Sequence, residues 1–138
     1  MQRKKPVKVQ YLDRELVRGN VYYALCVTEA QFLAELKRLN VPRQQHGYWV
    51  NPRAYATTHY LEDGDDQICL VCIAPPQTDT PSIEVVGLLV HEAVHVWQAM
   101  RDSMGETNPS AEFEAYGIQM LSARLIQSYV DQVFGKSK

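Results

Sequence analysis

The chain has no apolar run of the roughly 18 residues that a membrane-spanning helix requires, so no membrane partner is expected. Cysteine is scarce and odd in number, with Cys26, Cys69 and Cys72 only, which excludes a scaffold stapled by disulfides and fits a reducing, cytoplasmic setting. Charge of either sign is weak: the net value is −2, which argues against a nucleic-acid partner. The one basic run, Arg3-Lys4-Lys5 with Lys8, is not followed by the apolar stretch of a signal peptide, and residues 1–10 are expected to form a flexible basic tail. No internal repeat, low-complexity tract or linker breaks the chain. Its 138 residues, 46% hydrophobic and 22% charged, are expected to form a single domain over 1–138.

Elements follow from pattern. Val21 to Val27 is a run of strand-forming residues, and Thr28 with Gln31 makes a capping box that opens a helix through Leu39, with Phe32, Leu33, Leu36 and Leu39 on one face. Arg53 to Leu61 and Gln67 to Ala74 are β-rich and are separated by Glu-Asp-Gly-Asp-Asp, the composition of a hairpin turn, with Pro75-Pro76 ending the second strand. Cys69 and Cys72 would point to opposite faces of that strand, which assigns them to the core. Trp49 and Tyr48, after Gly47, are candidates for a cleft lining or a core cover.

Histidine is also sparse, four in all, yet two of them stand in His91-Glu92-Ala93-Val94-His95. On a helix, positions i and i+4 share a face, close enough for two imidazoles to ligate one zinc ion with a carboxylate beside them. From Val85 to Trp97 every other residue is apolar or Gly, so the helix is expected to run through the core with His91, Glu92 and His95 buried together. Buried polar groups left unpaired cost about 2–7 kcal/mol each, and a metal would satisfy all three.

A catalytic zinc usually takes three protein ligands. Gln98 and Arg101 stand where a HExxHxxGxxH pattern would carry Gly and His, so the third ligand is sought downstream. Asn108 and Pro109 read as the N-cap and first position of a second helix that continues to Phe134, and Glu112 and Glu114 lie in its first turns. Glu112 shares a face with Ala115, Tyr116, Gln119 and Ala123, which leaves room beside a metal helix, whereas Glu114 points with Ile118, Leu121 and Leu125. That favours Glu112, with Glu114 as the alternative. Acidic residues there also complement the helix dipole.

HEAVH, followed 17 residues after His95 by Glu112 in EFEAY, resembles the gluzincin zinc proteases, whose second helix carries a Glu ligand in an ExxA(D/N) pattern. The likeness covers two helices and is closest to the minimal single-domain members, the minigluzincin and ImmA/IrrE-like group; the longer pattern HEAVHVWQ, GE, ExEAYxxQ also resembles small phage-encoded proteins. The resemblance implies a small α+β zincin-like domain: a helix with an antiparallel hairpin or sheet, then a metal-binding helix and a ligand-bearing C-terminal helix. It implies His91, His95 and Glu112 as zinc ligands, Glu92 as general base, and Tyr116 where the larger families place an Asp or Asn that bonds the first His. The expected activity is a zinc metallopeptidase acting on a peptide or protein substrate, zinc lowering the pKa of its water toward about 7. Donors for the developing oxyanion are His59, Tyr116 and Tyr129, among which the sequence does not choose. His46 is a loop residue with no assigned role. A catalytically silent metal-binding regulator and a hydrolase of non-peptide amides are the rival expectations.

Overall fold

A computed structural model describes residues 8–74 and 82–135, so Arg3 to Lys5 and Pro75-Pro76 lie outside the described residues. Those residues form strands β1 (Val21–Cys26), β2 (Ala56–Asp63) and β3 (Asp66–Ile73), and helices α1 (Glu29–Arg38), α2 (Ser82–Ser103) and α3 (Ala111–Phe134), with a 3-10 turn at Arg43–Gln45. The result is a small α+β domain.

β2 and β3 form the expected antiparallel hairpin, closed by the pair Asp63 and Asp66. Gly64, between them, has φ of 63°, the conformation that a two-residue hairpin turn needs at its first position and that only Gly adopts at no steric cost. β1 adds to the other side of β3 in parallel, Val21 opposite Gln67 and Cys26 opposite Cys72, so the sheet is mixed rather than purely antiparallel, in the order β1-β3-β2. β3 is therefore central and covered on both faces, which is why its sequence reads as an unbroken apolar run.

Alternation sorts the side chains into two layers. Tyr23, Leu25, Cys69, Val71 and Ile73 pack with α2 and α3, while Ala24, Cys26, Ile68, Leu70 and Cys72 pack with Phe32 and Leu36 of α1. Cys69 and Cys72 do lie on opposite faces, both as free buried thiols. Burial raises the Cys69 thiol to about 12.

Helix ends obey local chemistry. Thr28 Oγ1 accepts from Gln31 N at 3.2 Å and Gln31 Oε1 accepts from Thr28 N at 3.2 Å, the expected capping box. α1 ends one residue before Leu39; Asn40 takes the left-handed conformation (φ 58°), with Val41 N bonded to Leu36 O and Asn40 N to Lys37 O, a Schellman closure. Of the expected α1 face, Phe32 and Leu36 are buried, but Leu33 is exposed. Trp49 packs under this layer and Tyr48 points to solvent, so neither lines the cleft described below.

Of the expected tail only residues 8–10 are described, and they lead directly into the packed domain. Val9 is buried against the α1 layer, and Tyr11 bridges to Ala24 and donates its hydroxyl hydrogen to buried Glu35, which also accepts from Arg38 Nε at 2.8 Å. Burial opposes ionisation of Glu35, but the Arg38 and Tyr11 bonds outweigh it and hold the carboxyl below its usual range.

α2 is not enclosed on all sides. Val85, Leu89, Ala93, Val96 and Trp97 face the core, while Glu84, Gly87 and His91 are exposed. Among the described residues the sheet is three strands wide, and its outer strand β2 leaves a cleft along α2 instead of covering it. No helix of the described residues is long and apolar enough to cross a membrane.

Candidate metal centre and cleft

The open side of α2 and the outer strand β2 enclose a cleft of about 780 Å³. One helical turn of α2 sets its floor. His91 and His95 direct Nε2 atoms at each other 3.3 Å apart, with the rings 4.9 Å apart and nearly perpendicular. That separation exceeds the usual hydrogen-bond range of about 2.7–3.2 Å. It equals the roughly 3.3–3.4 Å between two nitrogens bound tetrahedrally to one ion at about 2.0–2.1 Å, so the spacing would let the pair share a metal. The orientation has a cause in the next turn: His95 Nδ1 lies 3.1 Å from Gln98 Oε1, a bond that puts the proton on Nδ1 and leaves Nε2 free to ligate.

Glu92, between the imidazoles in sequence, is only 4% exposed and offers a carboxylate oxygen within 4.8 Å of a ring nitrogen of each. Thr58 Oγ1 donates to its Oε1 at 3.2 Å from across the cleft. The expectation that all three groups are buried together is corrected: Glu92 is buried, His95 partly so, and His91 is exposed. The buried carboxyl has a hydroxyl donor within reach, which offsets part of the cost of burying it.

Two expected participants are not brought to this cluster. Glu112 is exposed and does not join the group of His91, Glu92 and His95. Tyr116 is 58% exposed and lines a separate shallow hollow with Leu16, Gln119 and Arg124. The reason is the way α3 meets α2. Gly117 packs directly against the ring of Trp97, so close that a Cβ there would lie 2.5 Å from Trp97 Cζ3. Trp97 Nε1 donates to Glu114 Oε2 at 2.9 Å, and Arg101 Nη1 lies 3.6 Å from the same oxygen. Glu114, Gly117, Leu121 and Leu125 thus turn toward α2, and Glu112, Ala115, Tyr116 and Gln119 turn to solvent. The helix itself begins two residues later than expected, since Ser110 is the N-cap, its Oγ accepting from Phe113 N at 3.2 Å, and Asn108 and Pro109 precede it.

The oxyanion donors shift as well. His59 lies on the other sheet face, its ring 4.5 Å from that of Phe32 and Nε2 2.9 Å from Trp49 O. Tyr129 is a core residue. His46 closes its own loop by contact with Val41 O. What sequence reasoning missed are the neighbours of His59 in strand phase, Thr58 and Tyr60, which line the cleft with Ala56. Burial, then the proximity of Cys69 and Glu92, raises the Tyr60 hydroxyl above its ordinary range, so it holds its proton and can donate. Period-2 alternation puts Thr58 and Tyr60 on one face and His59 on the other, and the burial of Ala56 shows which face meets α2.

Compared with protein-family models, curated proteins and solved structures, the chain matches none.

Proposed function

We propose that this protein is a metal-dependent hydrolase of peptide bonds, with zinc the expected ion. The observation that carries the reading is the convergence of two Nε2 atoms 3.3 Å apart with the buried Glu92 carboxylate on the floor of one cleft. His91 and His95 would hold the ion, which when bound supplies Lewis-acid polarisation and acidifies water.

The chain's own groups divide the remaining work. Thr58 holds Oε1 of Glu92, which leaves Oε2 for proton transfer and keeps the carboxylate facing the imidazoles. Glu92 takes the proton of the attacking water and returns it to the leaving amine. Tyr60, proton-bearing and in the same cleft, is the donor for charge developing on the carbonyl oxygen. β2 is an outer strand with no further strand beside it among the described residues, so its edge can pair with an extended peptide backbone along the cleft; this favours peptides over compact amides.

The test is Glu92→Gln. It should keep metal and fold while hydrolysis of a peptide library falls by about two to four orders of magnitude. Loss of metal instead would make Glu92 a ligand. A second reading, a metal-binding protein that cleaves nothing, draws on the absence of Glu112 from the cluster, since two imidazoles alone hold an ion less firmly than three ligands. It gains if the metal-loaded protein cleaves no member of the library.

A further inference from the structure

The charge of the cleft is one-sided. Among the described residues no Lys or Arg lines it, and apart from Glu92 the only charged lining residue among them is Glu84, in the first turn of α2. Glu84 lies seven residues before His91 on the same open face, two helical turns or about 10 Å along the axis. Tyr55 and Tyr60, 76% and 48% exposed, project aromatic rings into the same space. Exposed rings and a carboxylate lining one cleft, with no cationic lining residue among those described, match a cationic side chain, which gains from both the opposite charge and the ring faces.

We propose that Glu84 is a specificity-determining residue that selects peptides with Lys or Arg about three residues from the bond cleaved. The spacing follows from geometry. An extended peptide advances about 3.3–3.4 Å per residue, so the 10 Å from His91 to Glu84 spans three of its residues. Register is set by backbone pairing along β2 and charge is read at Glu84. The inference rests on the peptidase reading of the same cleft.

The experiment uses the metal-loaded full chain and peptides that carry Arg, Gln or Glu at each position in turn. Wild type should cleave the best-placed Arg peptide about two- to fivefold faster, in kcat/KM, than its Gln counterpart, the size of an exposed ion pair. The preference should shrink on raising salt from about 0.01 to 1 M, as the Debye length falls from about 30 to 3 Å. Glu84→Gln should abolish the preference and Glu84→Lys reverse it toward Glu, with cleavage of an uncharged peptide unchanged. Cleavage without a charge preference, or a preference that survives Glu84→Gln, overturns the inference and leaves the peptidase reading intact. If no peptide is cleaved, the peptidase reading falls, and NMR titration of wild type and Glu84→Gln with the same Arg and Gln peptides decides the cleft. Tighter Arg-peptide binding that depends on Glu84 sustains selection of cations there, and equal binding overturns it.

Discussion

Changing Gly117 to Ala sets two known effects against each other. By intrinsic propensity the substitution should help, because Ala in a helix interior is favoured over Gly by about 1 kcal/mol. The packing opposes it: the new methyl would lie 2.5 Å and 2.6 Å from two ring carbons of Trp97. Trp97 cannot swing away freely, since it is buried, its Nε1 is bonded to Glu114 at 2.9 Å and its ring meets Phe113 edge-on at 5.3 Å. Overpacking of this kind costs about 1–3 kcal/mol, and a rigid indole held on two sides places it at the upper end. The net effect is a loss of about 2 kcal/mol. At about 2 cal/mol/K of unfolding entropy per residue, a chain of this size loses about 3–4 °C in Tm per kcal/mol, hence about 7 °C here. Thermal and denaturant unfolding followed by circular dichroism measure it. Gly87→Ala is the internal control, because a Cβ there meets nothing within 4 Å and should stabilise by up to about 1 kcal/mol. Trp97→Leu should couple to Gly117→Ala, the double variant losing less than the sum of the singles. A Gly117→Ala protein as stable as wild type would refute the packing of α3 on α2 and reopen the facing of Glu112 and Tyr116.

Three further outcomes follow from the same contacts. Gln98→Leu removes the acceptor that orients His95 and should weaken metal binding by about 10–100-fold, read by chelator competition, while unfolding in the metal-free state changes little. Glu114→Ala leaves the buried Trp97 N–H without its acceptor and should cost about 1–3 kcal/mol, whereas exposed Glu112→Ala should change neither stability nor metal affinity; loss of metal in Glu112→Ala alone would restore it as a ligand. Glu35, whose carboxyl is held low in the folded state, contributes stability that is complete above the unfolded pKa of about 4.3 and lost as pH falls through the folded value. Glu35→Gln should therefore unfold more readily at pH 7 and show less acid sensitivity between about pH 5 and 2; an unchanged pH profile would argue against the Tyr11-Glu35-Arg38 cluster.

Local chemistry was legible in the sequence wherever the cause is local. The Thr28-Gln31 capping box, the Gly64 turn and the His91-Glu92-His95 spacing each depend on a few adjacent residues, and each stands in the structure as expected. What was not legible depends on distant partners. That β1 pairs in parallel with β3 is decided by a crossover of some forty residues, and periodicity within either strand carries no trace of it. The two faces of α3, Glu112 with Ala115, Tyr116 and Gln119 and Glu114 with Leu121 and Leu125, were legible from helix spacing, but which of them meets α2 was not, because the decisive feature, an absent side chain at Gly117 that admits the Trp97 ring, is visible only when both helices are seen together. His59 was one of three oxyanion donors the sequence left open, and its side of the sheet turned on strand phase. A strand turns alternate residues to opposite faces, and the correct phase followed from which of Ala56 and Thr57 is buried.

The central claim is that His91 and His95 hold a metal. Protein purified without any metal-affinity step, analysed by inductively coupled plasma mass spectrometry and then titrated with zinc, tests it directly. The account predicts one divalent ion per chain at saturation, lost in both His91→Ala and His95→Ala, with a rise in melting temperature on zinc addition to wild type only. Wild type that takes up no ion, or either variant that binds it as wild type does, would contradict it.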